Sequence, residues 1–330
     1  MHCVWTAFGP AGLVGGLALV AFTVSGTVPS SGTSARSSTP PCAATATTHR
    51  PTTELLSFVR GHDVLVAAVS GSHVRTAIAA HGRSTGARWS QTWYYDPAWS
   101  PDGRCLAMTR GGYPTGSHWY ADVLVRRDTR SLAIPGGMSS ISGSPSWAPD
   151  GRRLVVVGYQ WNDGGGLYIQ GVGTKTDVAL TPEDQDPTTA TPDDDPAWSP
   201  DGSTIAFVRH TRRAPHVSIY LIRPDGTKLR RLTTLEADYP TWSPDSKELA
   251  FETGGRIAVA NADGSGLRFL TSPTGSDTDP AWSPGGSAIA FVRFPTKAAR
   301  IAEVWIMRLD GSDQRLVIKN GEQPAWKPGP

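Results

Sequence analysis

Short apolar runs separated by turn residues recur from about residue 54 to the end of the chain. A clear example follows a Trp-containing segment with TIAFVRH (204–210), SIYLIRPDG (218–226) and LRRLT (229–233). β-Branched and aromatic residues favour strands, and Asp-Gly pairs favour tight turns between antiparallel neighbours. Gly and Pro interrupt the runs too often for long helices. The pattern therefore predicts units of four short strands.

One phrase marks each of these units, with Pro two residues before a Trp. It occurs as DPAWSPDG (96–103), SPSWAPDG (144–151), DPAWSPDG (195–202), YPTWSPDS (239–246), DPAWSPGG (279–286) and QPAWKPG (323–329). Successive Trp residues are 48, 51, 44, 40 and 44 positions apart, which is the period of a β-propeller blade. The sequence predicts an all-β fold, a six-bladed propeller of four-stranded antiparallel blades.

The first and last segments complement each other. LLSFVRG (55–61) matches the strand that follows the Trp phrase elsewhere, and DVLVAAVSG (63–71) and VRTAIAA (74–80) supply two more strands. The final phrase, QPAWKPG, has no strands after it. We expect the N- and C-terminal strands to share one blade, which closes the ring and removes open sheet edges.

These phrases resemble the repeat of TolB-like propellers, a WD40-like family marked by Pro-x-Trp-Ser-Pro-Asp-Gly followed by an Ile-Ala-Phe-like strand. The resemblance covers about residues 54–330, and the absence of any Trp-Asp dipeptide separates the chain from WD-repeat proteins. It implies the propeller fold. It implies little about function, because the family includes translocation components and the propeller domains of sensors and peptidases.

The N-terminal region differs from the repeats. Residues 11–24 are apolar or small and uncharged, which is typical of the central segment of a signal peptide. The preceding residues contain no Lys or Arg, so a mis-assigned start codon or a short buried helix is an alternative. We predict a signal peptide or membrane anchor over 1–28, a disordered Ser/Thr/Pro-rich tether over 29–53, and the propeller over 54–330.

Export places the chain outside the cytoplasm, whether secreted, periplasmic or in the cell envelope. Loss of Cys3 with the signal leaves Cys42 and Cys105, which either form a disulfide or remain two free thiols. The net charge of +2 and the lack of a Lys/Arg run exclude nucleic acid as an expected partner. We expect a monomer with a protein or peptide partner.

The repeated Trp residues have a fixed place in every unit, where a large flat side chain can fill the gap between adjacent blades. A platform that stacks sugars or bases is the alternative for single members. The set comprises Trp99, Trp147, Trp198, Trp242, Trp282 and Trp326.

The residue before Pro-x-Trp varies while its neighbours do not. It is Asp96, Ser144, Asp195, Tyr239, Asp279 and Gln323 in turn. We expect these residues to surround one mouth of the central channel, with carboxylates from alternate blades. Such a mouth attracts a divalent cation, the only cofactor that the sequence suggests, or a basic or N-terminal group of a peptide. The alternative is that Asp only favours the turn before Pro.

Two other segments are candidates. The acidic stretch 183–196 lacks the Gly and final Glu of an EF-hand, which favours a solvated loop. Trp93, Tyr94 and Tyr95 lead directly into Asp96 and can form an adhesive rim.

The sequence favours a non-catalytic binding or scaffold propeller. Its one Gly-x-Ser-x-Gly phrase, GRSTG (82–86), is followed by no helical pattern that would make a strand-to-helix nucleophile turn, and its eight histidines do not recur in register with the repeat. One alternative is a metal-dependent lyase or hydrolase in the channel, which requires histidines to converge at one mouth. The other is a sensor ectodomain anchored by residues 11–24.

Overall fold

The structure, a computed structural model, describes residues 54–85, 88–113, 120–127, 130–133, 141–159, 166–174, 177–181, 192–211, 216–272, 275–296, 299 and 301–329. The predicted signal peptide and tether lie outside these residues, so both stay predictions. No helix within the described ranges is long and apolar enough to cross a membrane.

The strands of the described residues form six antiparallel sheets, the blades, numbered in chain order. Blade 1 contains β1 (Leu55–Arg60), β2 (Asp63–Ala68), β3 (Arg75–Ile78) and β25 (Glu322–Lys327). Blade 2 contains β4 (His81–Thr85), β5 (Arg88–Trp99), β6 (Cys105–Tyr113), β7 (Tyr120–Arg127) and β8 (Arg130–Ala133). Blade 3 contains β9 (Ile141–Trp147), β10 (Arg153–Tyr159), β11 (Gly166–Gly171) and β12 (Asp177–Ala179). Blade 4 contains β13 (Asp193–Trp198), β14 (Ile205–His210), β15 (Val217–Ile222) and β16 (Arg230–Arg231). Blade 5 contains β17 (Asp238–Trp242), β18 (Glu248–Thr253), β19 (Arg256–Asn261) and β20 (Arg268–Phe269). Blade 6 contains β21 (Ser276–Trp282), β22 (Ala288–Phe294), β23 (Glu303–Arg308) and β24 (Arg315–Lys319). The predicted six-bladed propeller is confirmed.

Blade 1 closes the ring. Its strand order is β25-β1-β2-β3, so the last strand of the chain pairs with the first. Leu56 is opposite Trp326 and Ser57 is opposite Ala325. The buried Ser57 hydroxyl also donates a 3.2 Å hydrogen bond to the Ala325 carbonyl. The predicted sharing of one blade by the two termini is confirmed.

The hydrophobic core consists of six layers, one between each pair of neighbouring blades. The second strand of a blade is covered on both faces, which explains its continuous apolar run in place of alternation. Ile205, Ala206, Phe207 and Val208 are all fully buried. The layer between blades 6 and 1 is as apolar as the others, so ring closure also buries side chains.

Blade 2 departs from the predicted four strands. A fifth strand, β4, pairs with the first half of β5, from His81 opposite Thr92 to Thr85 opposite Arg88. This hairpin is mostly polar, so the hydrophobic pattern gave no sign of it. Cys105, at the start of β6, is buried and disulfide-bonded. The two other cysteines lie outside the described residues, so the pairing with Cys42 stays a prediction.

Candidate functional site

The six variable residues lie at equivalent irregularities of the inner strands. At each position the register between the inner strand and its neighbour shifts, as in a β-bulge. Each residue has a positive φ, from 43° at Asp195 to 52° at Asp96 and Tyr239. Such a φ is uncommon outside glycine, and a bulge redirects the side chain. In each blade the bulge therefore directs the side chain of this one residue out of the sheet.

All six side chains line one cavity of about 170 Å³, which we name the acidic cavity. The proline that follows each of them completes its lining. The same six prolines also line a second cavity of about 510 Å³, which we name the Trp cavity, together with the six repeated Trp residues. The prolines thus form a collar that separates two chambers of the central channel.

The carboxylates come from alternate blades. Asp96 is on β5, Asp195 on β13 and Asp279 on β21, which belong to blades 2, 4 and 6. Ser144 lies between the first two, with its Oγ 3.3 Å from an Asp96 oxygen and 3.4 Å from an Asp195 oxygen.

Asp96 is held by its neighbours. Gln323 Nε2 donates to its carboxylate at 2.5 Å, and the Asp96 N–H donates to Gln323 Oε1 at 2.9 Å. The Thr109 hydroxyl donates to the other carboxylate oxygen at 3.1 Å. Within the described residues, the Asp279 carboxylate accepts no hydrogen bond. Asp279 is therefore better placed than Asp96 to bind a group from outside.

Burial and mutual repulsion make all three carboxylates hard to ionise. Burial, with a contribution from Asp194, raises the pKa of Asp96 to about 6. Burial, with the charge of Asp96, raises the pKa of Asp279 to about 7. Burial and then Asp194 raise the pKa of Asp195 well above its usual value. A cation in the cavity would restore their ionised forms, because an opposite charge lowers a carboxyl pKa.

A second row of residues, acidic in three of the six blades, lies beside the first, and the sequence pattern did not reveal it. The position directly before each cavity residue holds Tyr95, Gly143, Asp194, Asp238, Thr278 and Glu322. The charges of Asp194 and Asp238 raise the pKa values of the cavity carboxylates, and Glu322 raises that of Asp279. Burial, then Asp96, raises the pKa of Tyr95 to about 12. Aligning the phrases one residue earlier would have revealed the row.

Two further acids near the mouth are already paired. Arg209 contacts Asp193 at 2.6 Å in blade 4, and Arg293 contacts Asp277 at 2.7 Å in blade 6. Blade 5 has no such pair, because Ala237 and Thr253 occupy the corresponding positions; Glu252 precedes Thr253. Burial raises the pKa of Glu252. Negative charge around the mouth is therefore most concentrated on blades 4 and 5.

The remaining sequence candidates contribute unequally. Of the acidic stretch 183–196, the structure describes 192–196, where Asp193 is paired with Arg209 and Asp195 lines the cavity. Within the proposed rim, Tyr94 is buried in the layer between blades 1 and 2. Trp93 is half-buried, with its ring centroid 5.6 Å from that of His62. Tyr95 is linked to the cavity electrostatically, because the charge of Asp96 contributes to its raised pKa after burial.

The repeated Trp residues line the Trp cavity and pack into the layers between blades. Trp147, Trp242 and Trp326 each donate a hydrogen bond of 2.9–3.0 Å to a carbonyl of the preceding blade. The indole N–H of Trp282 is buried without a partner among the described residues. These indoles therefore contribute to the contacts between neighbouring blades.

The described residues around the acidic cavity show no compact cluster of metal ligands. Across the described ranges, no group of three His, Cys, Asp or Glu side chains is arranged to hold a metal ion. Burial raises the pKa of Asp238, and the charge of nearby His210 opposes part of that rise. A ring of spaced carboxylates suits an extended cationic group, which can contact several of them, better than a single ion.

Comparison with known proteins gives the family. "Tol-Pal system protein TolB" of Rhizorhabdus wittichii is 36% identical over 77 residues, which are 23% of this chain and 17% of that protein. "Tol-Pal system protein TolB 1" of Novosphingobium aromaticivorans is 40% identical over 75 residues, 22% of this chain and 16% of that protein. The matched stretches thus span less than a fifth of these relatives.

The crystal structure of TolB from Acinetobacter baumannii has the same fold, with a TM-score of 0.64 at 18% identity. The likeness covers 84% of this chain and 67% of that one. The family described as "TolB beta propeller domain" matches residues 83–329. Because that match spans more than half of the sequence, the chain belongs to the TolB beta propeller domain family.

Proposed function

We propose that this protein is an extracytoplasmic, non-catalytic binding propeller whose acidic cavity receives a cationic segment of a protein partner. The observation that carries the proposal is the convergence of three carboxylates with raised pKa values on one cavity. The second row of acids extends the same charge outward. Their mutual repulsion is relieved most by a bound positive group.

Location and partner class rest on separate support. The uncharged apolar run at residues 11–24 favours export. The curated relatives are named as proteins of a Tol-Pal system, which favours a role in an assembly with other proteins. The acidic mouth then selects, within a partner, a Lys- or Arg-bearing segment or a free N-terminus.

The test measures binding of a tri-lysine peptide by calorimetry at low and high salt. We expect the peptide to bind the parent protein, and the variant Asp96→Asn/Asp195→Asn/Asp279→Asn to bind at least tenfold more weakly. Asn is chosen because it tolerates a positive φ and removes only the charge. Screening should reduce binding by the parent at 0.5 M salt.

A matched control carries Asp225→Asn, Asp263→Asn and Asp310→Asn. These three carboxylates lie in exposed turns, where each accepts hydrogen bonds from the residue two positions later. The control changes the net charge equally and should bind the peptide like the parent. Equal binding by both triple variants would show that the cavity carboxylates only shape the turn. Calcium in place of the peptide tests the divalent-cation alternative.

A further inference from the structure

A further pocket of about 460 Å³ lies between blades 1 and 2, and we name it the seam pocket. It is at the end of the inner strands where the Trp phrases finish, because Trp99 and the start of β6 contribute to it. Its described lining consists of Val66, Arg75, Ala77, Ile78, Trp99, Gly103, Arg104, Leu106, Arg126 and Lys327. Four of these side chains are cationic and none is acidic.

Lys327 departs from the repeat. The residue after the Trp is Ser or Ala in the other five phrases, and its hydroxyl in blades 2, 4, 5 and 6 accepts hydrogen bonds within the following turn. In the final phrase a lysine occupies this place. Its Nζ lies 5.0 Å from the centre of the Trp99 ring, across the seam, in a cation–π contact. The lysine therefore reaches from blade 1 into the pocket.

Arg126 departs from the repeat in the same direction. It is opposite Leu106, one strand out from the Trp. The equivalent positions in the other blades are all buried and uncharged, namely Ala67, Gln170, Ile222, Ala260 and Met307. Arg126 is half-buried and donates a 3.2 Å hydrogen bond to the Ala77 carbonyl of blade 1. A charge thus replaces a core side chain at this seam alone.

Arg75 holds a position that is also arginine in blades 4, 5 and 6. There the guanidinium groups of Arg230, Arg268 and Arg315 each donate to a backbone carbonyl of the next blade. Arg75 is exposed, and no described residue accepts a hydrogen bond from its guanidinium. It is therefore available to a ligand in the seam pocket.

We propose that the seam pocket binds the phosphate group of a small organic molecule. Guanidinium groups match phosphate oxygens in bidentate geometry, and three of them with one ammonium suit a dianion. Arg104 completes the set, with its Nε 3.9 Å from an Asp102 carboxylate oxygen. Val66, Ile78 and Leu106 form an apolar wall that accommodates the organic part. The volume exceeds the space that a lone phosphate ion fills.

The test uses calorimetry at low salt with pyrophosphate and glycerol 3-phosphate, and sedimentation with phosphatidylglycerol vesicles. The site variant is Arg126→Gln/Lys327→Ser, since Gln and Ser stand at these repeat positions in other blades. The control variant, Lys247→Ser/Arg308→Gln, removes two exposed cations elsewhere. We expect the parent and control to bind at least one probe equally, and the site variant to bind it at least tenfold more weakly.

Binding of the soluble phosphates identifies a free phosphate ester as the ligand, and binding of the vesicles alone identifies a lipid headgroup. If the double variant does not fold, the single variant Lys327→Ser should still weaken binding at least threefold. The proposal is wrong if the parent binds none of the three probes saturably. It is equally wrong if the folded site variant binds them as tightly as the control does.

Discussion

The two chambers of the channel are built by the same six inner strands, yet they differ in what the repeat holds constant. In the Trp cavity every blade contributes the same indole, which packs against the preceding blade. In the acidic cavity, three residues earlier, every blade has the same backbone geometry but the side chain varies among Asp, Ser, Tyr and Gln. The identical Trp side chains stabilise the ring. The varied side chains of the acidic cavity, held by one repeated backbone geometry, are the groups that can contact a ligand.

The energetic character of the chambers differs in the same way. Burying a Trp between blades adds hydrophobic stabilisation of about 2–3 kcal/mol. Each residue of the acidic cavity instead has a strained φ, and its carboxylates repel one another. Strain and unfavourable charge that persist in a fold are features of binding and catalytic sites.

Removing the strand shared by both chambers should have the largest effect. Deletion of residues 322–330 removes β25, which supplies Gln323 to one chamber and Trp326 to the other. Blade 1 then exposes an unpaired edge and the layer between blades 6 and 1 opens. We expect loss of the single cooperative melting transition, measured by calorimetry. A transition unchanged from the parent would contradict ring closure by this strand.

The second largest effect should be a pH dependence of stability that comes from the acidic cavity and not from the Trp cavity. Because the pKa values of Asp96, Asp195 and Asp279 are raised in the folded protein, the folded state binds more protons than the unfolded chain near neutral pH. For Asp96 and Asp279 this contribution to stability is thus full below pH 4 and is lost as pH rises through about 6–7, and the contribution of Asp195 is likewise lost as pH rises. The parent should be more stable at pH 5 than at pH 7.5 by about 2 kcal/mol.

Two variants isolate this effect in urea unfolding at both pH values. The triple Asp→Asn variant should lose most of the pH difference and be more stable than the parent at pH 7.5. Trp242→Ala, in the other chamber, should cost about 3–5 kcal/mol at either pH and leave the difference intact. A triple variant with the full pH dependence of the parent would assign that dependence to other groups.

Relief of backbone strain should give the smallest effect. Tyr239 has a φ of 52° and is 39% exposed, and an aromatic residue tolerates this region poorly. Tyr239→Asn should raise the free energy of unfolding by about 1 kcal/mol. Tyr239→Phe keeps the strain and should leave stability near that of the parent. A destabilised Asn variant would mean that the tyrosine ring contributes more packing than its exposure indicates.

Much of the fold could be predicted because the repeated Trp phrase marks the same strand in every blade. The spacing of the Trp phrases predicted six blades, and the match of LLSFVRG to later strands predicted the shared blade. The six cavity residues were also predictable, since variation within a fixed phrase marks a position free of packing demands. The structure added the positive φ and the bulge that turn them inward.

Other features have no periodic signal. The polar strand β4 lacks the apolar alternation that betrays a strand. The seam pocket joins Arg126 to Lys327, which are 201 positions apart, and no local pattern links them. The pKa shifts depend on how closely carboxylates from three blades approach, which only the closed ring determines.

The shared blade also decides when this protein can finish folding. The Ser57–Ala325 hydrogen bond joins residues 268 positions apart, whereas neighbouring strands in the other blades follow each other closely in the sequence. Contacts of such long range form late, because a large loop must first be ordered. Blades 2 to 6 can assemble as synthesis proceeds, but β1 keeps an open edge until β25 exists. During that interval the chain is most exposed to aggregation and proteolysis, and pairing of β25 with β1 ends this exposure by closing the ring.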